Sequence, residues 1–477
     1  MKRNCFWLGL ALCAGFVLTS CSDDDENELG GGAVVEMPDD QPAAKVIPEG
    51  FYMLNEGWFG HDDGSVNYFS NTSADIKYHL FKEANPEDKL GNTTCHAAMW
   101  GNHIFLVSKQ GNRLVVTDKQ FKKQAVIAEI GGDGRMFLGI DDKKAYISTT
   151  NGIAKLDLEG WKLAGAVAGV SGEVGNMCLA EGKVFAVSAG KLYILDALTD
   201  QVLKTVDGTF STVILGQDGT VWVATATGLQ KYDADDLEAE DAEIPFPSGM
   251  ELYDSWTAWN PNSLCTSLQE NVLYWMTGEK SVWAVTLRQV VKYDVERHEF
   301  KAFEAIGKSE NDVQLSYYGA GIRVNPVTGE LVTMATQDGW GDNYKHNWVF
   351  KLDANGKNLL TYKVLGAPSN PQEGYFWYHT LPFFEDANQP QILLNQVKVK
   401  AGETTEIDLD EKVVDYDNIF ASMMVELTPA EGNLAEVTLD GDDLKVKAGA
   451  QTGVTACKLA VISNGVRVEK NIQIVVE

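Results

Sequence analysis

The stretch Leu114-Val115-Val116-Thr117-Asp118 is one copy of a pattern that recurs through this chain of 477 residues. Alternating apolar positions end in an aspartate, and a turn and another strand-like run follow. The ends of successive copies are 48, 39, 39, 37, 61 and 59 residues apart. They lie at Ser70, Asp118, Asp157, Asp196, Asp233, Asp294 and Asp353. A period near 40 with short strands and no helical periodicity is typical of a β-propeller, and a β-solenoid is the alternative.

A second apolar run precedes every copy, beginning with Phe51-Tyr52-Met53-Leu54. Since the first copy lacks an innermost strand, we expect residues 375–384 to pair beside Phe51–Leu54 and to close the ring. The repeated aspartates are expected to accept hydrogen bonds from backbone N–H groups of the following turn, as Asp does in Asx turns. The pattern therefore predicts an all-β fold with a seven-bladed β-propeller from 50 to 386.

Residues 387–477 carry no copy of the pattern. They contain about seven short runs of alternating apolar and polar residues, which predict a small immunoglobulin-like β-sandwich. No Cys…Trp…Cys core is present, so this region resembles only the bacterial variety of that domain.

The N-terminus predicts an export signal. Lys2 and Arg3 precede an apolar run, 6–18, that is too short to span a bilayer in the mature protein. The run ends in Leu18-Thr19-Ser20-Cys21, which looks like a bacterial lipobox with Cys21 as the lipidated residue. An ordinary secretory signal with a chance cysteine is the alternative. We predict a signal peptide at 1–20 and a flexible acidic tether at 21–49, with the membrane reached only through the lipid anchor.

The net charge of −29 bears on the class of partner. With 39 Lys and Arg against 68 Asp and Glu, the chain lacks the basic footprint of a nucleic-acid binder. Part of the excess follows Cys21 directly. This acidic run, 22–26, resembles the export signal of Bacteroidetes surface lipoproteins, which implies an outer-membrane protein exposed on the cell surface.

The unequal spacing of the copies indicates where a ligand binds. In antiparallel four-stranded blades, the loop between strands two and three lies on the same face as the connection to the next blade. The long segments all fall on that face in blades one, six and seven, and they are rich in aromatic residues. Loops on a rigid scaffold commonly carry binding residues. The predicted ligand-binding residues are Trp58, Phe59, His61, Tyr253, Trp256, Tyr317, Trp340, Tyr344, Tyr375 and Tyr378.

No motif of an enzyme is present. We find no H-E-x-x-H, G-x-S-x-G, P-loop or C-x-x-C-H sequence. His61-Asp62-Asp63 with His346 could form a metal or acid–base site, and paired carboxylates of a glycosidase remain an alternative. Histidine–carboxylate groupings arise often by chance among so many acids. We therefore predict a non-enzyme with no catalytic residue, no metal and no cofactor.

The start Phe51-Tyr52-Met53-Leu54-Asn55-Glu56-Gly57-Trp58-Phe59-Gly60 and the strand–Asp units resemble YncE-like seven-bladed propeller lipoproteins of Bacteroidetes. That group includes lipoproteins that capture cobalamin and related corrinoids for a TonB-dependent outer-membrane transporter. The resemblance implies that this chain captures a small molecule, with a corrinoid as the best guess, and passes it to such a transporter. A glycan-binding or glycan-processing propeller and a protein–protein adhesion scaffold are the alternatives.

Overall fold

A computed structural model describes residues 36–237, 243–252, 262–278, 287–304, 314–339, 341–364 and 376–477. The fold is nearly all-β, in agreement with the predicted class. Three strands, β1 (Gly50–Asn55), β2 (Ser65–Ser70) and β3 (Ile76–Lys77), begin the first sheet, sheet I. A short helix, α1 (Leu80–Ala84), follows them.

Six further antiparallel sheets of four strands follow in chain order. Sheet II has β4 (Asn92–Trp100), β5 (His103–Gln110), β6 (Leu114–Asp118) and β7 (Lys123–Ile127). Sheet III has β8 (Gly134–Gly139), β9 (Lys144–Thr149), β10 (Gly152–Asp157) and β11 (Lys162–Ala166). Sheet IV has β12 (Val174–Ala180), β13 (Lys183–Ser188), β14 (Lys191–Asp196) and β15 (Val202–Asp207).

The remaining three of these sheets contain the longer connections. Sheet V has β16 (Phe210–Leu215), β17 (Val221–Thr225), β18 (Gly228–Tyr232) and β19 (Ile244–Pro245). Sheet VI has β20 (Cys265–Thr266), β21 (Val272–Gly278), β22 (Leu287–Asp294) and β23 (Glu299–Glu304). Sheet VII has β24 (Leu315–Val324), β25 (Leu331–Gln337), β26 (Asn347–Leu352) and β27 (Asn358–Val364), with a 3₁₀ helix at Gly341–Lys345.

The predicted closure between the two ends of the repeat is present. Strand β28 (His379–Phe384) pairs antiparallel with β1, so that Phe51 lies opposite Phe384 and Leu54 opposite Leu381. Each first strand contacts the first strand of the next sheet from β4 through β24, and β24 contacts β28, which contacts β4. The seven first strands therefore form a closed circuit, which we call the ring.

The repeated aspartates have the role that the sequence predicts. In the turn after β6, Asp118 Oδ1 accepts the backbone N–H groups of Gln120 and Lys122 at 3.0 and 2.8 Å. Equivalent bonds to the backbone N–H two or three residues onward form at Asp157, Asp196, Asp233, Asp294 and Asp353. These carboxylates satisfy turn N–H groups that otherwise lack a partner in the sheet, so their repetition has a structural cause.

The C-terminal region forms two sheets with a shared core. One contains β30 (Gln396–Val399), β33 (Met424–Thr428), β36 (Gly453–Ser463) and β37 (Val466–Val476), with β30 and β37 parallel. The other contains β31 (Thr404–Asp408), β34 (Ala435–Asp440) and β35 (Asp443–Ala448), and β29 (Gln391–Ile392) pairs with β32 (Val413–Val414). A 3₁₀ helix spans Phe420–Ser422. Leu444 and Val446 of one sheet pack with Leu459 and Ile474 of the other.

This region lies on one end of the ring, at the turns between first and second strands. Gly101 N–H donates to Asn464 O at 2.6 Å, and Glu181 N–H donates to Ala421 O at 2.7 Å. Arg467 joins Asp142 of the β8–β9 turn through two N–O contacts of 2.9 and 3.2 Å. We call this the docked end of the ring. The sequence did not indicate this packing, because no repeated pattern marks it.

The prediction of a flexible tether through residue 49 is wrong for its last part. Val46 N–H donates to Asn388 Oδ1 at 2.7 Å, and Asp40 N–H donates to Leu393 O at 2.9 Å. Lys470 pairs with Asp40 at 2.8 Å. The backbone from Asp40 to Val46 therefore lies along the C-terminal region, whereas Pro48 and Glu49 accept hydrogen bonds from Asn71 next to sheet I. Among the described residues, no helix is long and apolar enough to cross a membrane.

Candidate functional site

The β1–β2 loop, 56–64, carries three of the predicted ligand-binding residues. Trp58 O accepts the N–H groups of both His61 and Asp62, at 2.9 and 2.8 Å, which makes a tight turn. The turn stacks the His61 ring on Trp58, with ring centroids 3.7 Å apart and planes inclined by 18°. Gly57 begins the turn with φ +73, and a Cβ there would lie 2.6 Å from Asp63 O. Glycine is therefore required at that position.

An aromatic cluster extends from Trp58 across the closure. Trp58 lies 4.7 Å from Phe376, measured between ring centroids, and Phe376 lies 6.1 Å from Tyr378. Tyr378 in turn contacts Tyr344 at 5.3 Å. These residues come from the β1–β2 loop, the β25–β26 loop and the connection into β28. All three connections lie at the end of the ring opposite the docked end, and we call this the loop end.

The loop end exposes part of its aromatic surface to solvent. Trp58 is 40% exposed and Phe59 is 54% exposed. Two lysines lie over rings of this surface. Lys109 Nζ is 5.5 Å from the centroid of Phe59, and Lys345 Nζ is 5.2 Å from that of Phe376. Flat rings bordered by ammonium groups can bury an apolar ligand and donate hydrogen bonds to polar groups at its rim.

A buried polar link holds the loop end in place. Glu56 N–H donates to Tyr378 O at 3.0 Å, and the Tyr318 hydroxyl donates to the Glu56 carboxylate. Burial, and secondarily the charge of Glu56, raises the pKa of Tyr318 well above its usual range, so its hydroxyl stays protonated. His379 hydrogen-bonds through Nδ1 to Asn55 Oδ1, and burial lowers the pKa of His379 to about 3. Asn55 and Glu56 are therefore buried and position the loop through these hydrogen bonds.

Two of the predicted ligand-binding residues lie elsewhere than expected. Tyr317 has no exposed surface and packs in the core with Leu315 and Ile322, because it is on the inward face of β24. Tyr344 is only 7% exposed, and its ring packs against that of Tyr378. Trp58, Phe59 and His61 lie in the loop as predicted, and Tyr378 is half-buried beside them. Tyr253, Trp256, Trp340, Tyr375 and the predicted lipidation site Cys21 lie outside the described residues.

Sequence reasoning missed Phe376, Lys109 and Lys345. Phe376 was assigned only to the closing strand, although its position beside Tyr378 in the last long segment marked it for the same face. Lys345 lies in the long β25–β26 connection, where only aromatic residues were predicted to bind a ligand. Lys109 had no signal, since it is in an ordinary strand, β5.

The alternative of a metal site at His61, Asp62, Asp63 and His346 gains no support. Within the described ranges, no group of three or more His, Cys, Asp or Glu side chains is placed to hold a metal ion. His61 instead stacks on Trp58, and Asp63 pairs with Lys89 at 3.3 Å. The four cysteines in the described ranges, Cys95, Cys178, Cys265 and Cys457, are buried thiols without a disulfide.

Residues 49–385 match the model of a protein family described as a domain of unknown function, DUF5074. The chain belongs to this family. No curated protein matches the chain. Thus the family assignment covers most of the sequence but brings no activity with it.

Solved structures show what the fold of this DUF5074 member resembles. A quinoprotein alcohol dehydrogenase-like protein from Bacteroides thetaiotaomicron is similar with a TM-score of 0.51 and 14% sequence identity, over 70% of this chain and 78% of that protein. The extracellular domain of a hybrid two-component system from the same species gives a TM-score of 0.44 and 12% identity, over 89% of this chain and 55% of that one. The neighbours are β-propeller-like proteins of Bacteroides, and at this identity the first of them bears on the fold alone.

Proposed function

We propose that this protein is a surface lipoprotein that captures a small-molecule ligand on the loop end of a seven-bladed β-propeller. The exposed surface of Trp58 and Phe59, bordered by Lys109 and Lys345, is the observation that carries this proposal. A corrinoid is the ligand class that we favour. Its flat, apolar macrocycle matches aromatic rings, and its polar amide rim matches lysine donors.

The proposed propeller takes sheets I to VII as its blades. The closed circuit of first strands and the β1–β28 pairing support this assignment. Because each sheet is a separate set of four strands, the ring leaves only short edges, with those of the first strands turned toward its centre. We likewise propose that the two C-terminal sheets are an immunoglobulin-like sandwich, since they share one core.

Binding of cobalamin and cobinamide tests the ligand proposal. We expect saturable heat and a shift of the visible spectrum when either corrinoid is titrated into the purified protein. Phe59→Ala and Trp58→Ala should each weaken binding by about tenfold, the effect of losing one stacked ring. The matched control is Trp161→Ala, a half-buried tryptophan in the β10–β11 turn.

Absence of heat and of a spectral shift at micromolar protein would contradict the corrinoid proposal. A glycan array then separates the remaining alternatives, because sugars also stack on exposed aromatic rings. Glycan signals that disappear with Phe59→Ala would move the proposal to a glycan-binding propeller. If neither ligand class binds, but deletion of 387–477 removes a protein partner from a pull-down, the adhesion scaffold is favoured.

The proposed location is the outer membrane, with the protein anchored through lipid on Cys21 and passing its ligand to a TonB-dependent transporter. The lipobox-like sequence and the acidic run after it support this location. Labelling with a radioactive fatty acid should be lost in Cys21→Ala. In intact cells, external protease should degrade the wild-type protein. Protection from the protease until the cells are lysed would contradict surface exposure.

A further inference from the structure

A cavity of about 450 Å³ runs along the centre of the ring and ends beside the C-terminal region. Every first strand contributes to its wall, from β4 through β24 and then β28. Asp386, Asp417 and Asn464 line it at the docked end. Its volume falls within the roughly 300–1,000 Å³ of small-molecule sites. It is separate from the aromatic surface of the loop end, whose residues do not line it.

Arg323 of β24 places a guanidinium in the wall of this cavity. One of its N–H groups donates to Ile322 O at 2.7 Å and another to Asn262 O at 2.9 Å. Among the described residues, no carboxylate forms an ion pair with Arg323. A guanidinium has five N–H donors, so others remain for a ligand. A cation removed from water without an anion is unfavourable, and a bound anion would relieve that cost.

The neighbours of Arg323 add no second positive charge. Burial, and then the charge of Arg323, lowers the pKa of His96 to about 3, so His96 is a neutral imidazole near pH 7. The Asn176 side chain already has a partner, because its Nδ2 donates a hydrogen bond to Thr212 Oγ1 at 2.6 Å. An anion in the cavity would therefore find its positive partner at Arg323.

Much of the remaining wall is apolar and adaptable, apart from the polar residues toward the docked end. Three methionines, Met99, Met136 and Met177, line it together with Cys178 and Cys265. Methionine side chains are flexible and polarizable, and they accommodate apolar groups of varied shape. The carboxylates of Glu385, Asp386 and Asp417 occur toward the docked end and disfavour a second negative charge there. The wall thus matches one anionic head and an uncharged apolar body.

We infer that the central cavity binds a small organic monoanion, with its oxyanion head on Arg323 and its apolar body against the methionines. This site is independent of the proposed function at the loop end, and it would exist whether or not corrinoids bind there.

Octanoate, octan-1-ol and octylamine are probes that share a chain length and differ in charge. In isothermal titration, octanoate should bind the wild type about tenfold or more tightly than octanol, the size of one charge-assisted hydrogen bond, whereas octylamine, which Arg323 repels, should bind Arg323→Gln more tightly than the wild type. Arg323→Gln should remove the preference for octanoate, and Arg323→Lys should keep part of it. Arg297→Gln, an exposed arginine of the β22–β23 turn, is the control and should leave it unchanged. Absence of saturable octanoate binding, or an unchanged preference in Arg323→Gln, would overturn the inference.

The cysteines give a readout that needs no variant, should Arg323→Gln fail to fold. Cys178 and Cys265 line the cavity, whereas Cys457 is in the core of the C-terminal sheets. Octanoate should slow the reaction of iodoacetamide with Cys178 and Cys265 and leave that of Cys457 unchanged, as measured by mass spectrometry of peptides. Equal protection of all three, or of none, would contradict binding in the cavity. Octanoate binding that disappears with Phe59→Ala but survives in Arg323→Gln would place it at the loop end and equally overturn the inference.

Discussion

The two ends of the ring use similar scaffolds in opposite ways. At the docked end, turns between first and second strands hydrogen-bond to the C-terminal region, for example through Gly101 and Glu181. At the loop end, longer connections leave Trp58 and Phe59 in contact with solvent. The docked end therefore contributes to stability, whereas the loop end carries the exposed aromatic surface at which we propose that a ligand binds. Exposed large aromatic side chains that contribute little to stability are a sign of binding.

The charges of the two ends differ as well. Carboxylates at the docked end are shielded from water, and burial raises the pKa of both Glu181 and Asp386 to about 7. At the loop end, the buried Glu56 accepts a hydrogen bond from Tyr318, and lysines lie over exposed rings. We therefore expect pH to act on the stability of the docked end, and we propose that the lysines and rings of the loop end contact the ligand there.

The largest expected effect on stability comes from replacing Trp377, the buried one of two tryptophans at the loop end. Trp377 is fully buried and stacks on Tyr78 at 5.5 Å, beneath the surface that contains Trp58. Trp377→Ala should lower the free energy of unfolding by about 3–5 kcal/mol, the usual cost of deleting a buried large aromatic side chain. Urea denaturation followed by fluorescence measures this loss. A loss below about 1 kcal/mol would show that the layer under the surface is loosely packed.

The next largest loss of stability is expected at Arg467, which links the C-terminal region to the ring. Arg467 contacts Asp142 of sheet III and also Glu426 of β33, with N–O distances of 2.8 and 2.9 Å to the latter. Arg467→Ala should cost about 1–3 kcal/mol, since hydrogen bonds to partly buried charged groups are lost at both partners. Limited proteolysis should then cut more rapidly near residue 387. The exposed pair of Arg297 with Asp294 is the control, and Arg297→Ala should cost less than about 1 kcal/mol.

The repeat could be predicted from sequence because local chemistry determines it, and the closure could be predicted because one copy of the repeat lacks its first strand. Asp118 and its counterparts bind N–H groups only two to four residues away, so the pattern is visible in the sequence itself. The pairing of Phe51 with Phe384 followed from the absence of a first strand in the first copy. Contacts of high sequence separation left no such pattern, as with Arg467 and Asp142, or Val46 and Asn388.

The site was predictable only in part for a related reason. Loop length selected the Trp58 and Tyr378 segments, which the structure brings together at the loop end, because extra residues must leave the strand pattern. The sequence does not show whether a side chain in a loop is buried or exposed. Tyr344 was expected at the surface and is buried, and Phe376 was overlooked although it contacts Trp58. Burial in such loops depends on packing between segments more than 300 residues apart, such as 58 and 376.

A smaller effect tests whether pH acts at the docked end. Asp386 accepts a hydrogen bond from Asn464 at 3.1 Å and faces Asp415, Asp417 and Lys119. Its pKa of about 7 in the folded protein exceeds the usual value of 3.8, so folding favours the protonated form. Stability from this group is therefore present below pH 4 and is lost as pH rises toward 7. The wild type should lose on the order of 1–2 kcal/mol of unfolding free energy between these pH values, and Asp386→Asn should not show this loss. The pH dependence of Tm measures it.

The exposed Asp207→Asn in sheet IV is the control for that experiment, and its pH profile should match the wild type. If Asp386→Asn shows the wild-type slope between pH 4 and 7, other carboxylates of the docked end cause the dependence. Glu181, in the β12–β13 turn, is the first to replace in that case, because its pKa is also raised to about 7 by burial and by Asp235.

The smallest effect on stability is expected where the effect on binding is largest. Trp58 is 40% exposed, and its stacking on His61 is local to one turn. Trp58→Ala should therefore lower the free energy of unfolding by less than about 1 kcal/mol, because little buried surface is lost. The same urea denaturation that is used for Trp377→Ala measures it. A cost above about 2 kcal/mol would mean that Trp58 supports the closure at Phe376, and the division between a stabilising docked end and a binding loop end would no longer hold. A small cost together with weakened ligand binding would show that this aromatic surface is retained for its ligand, since the fold does not depend on it.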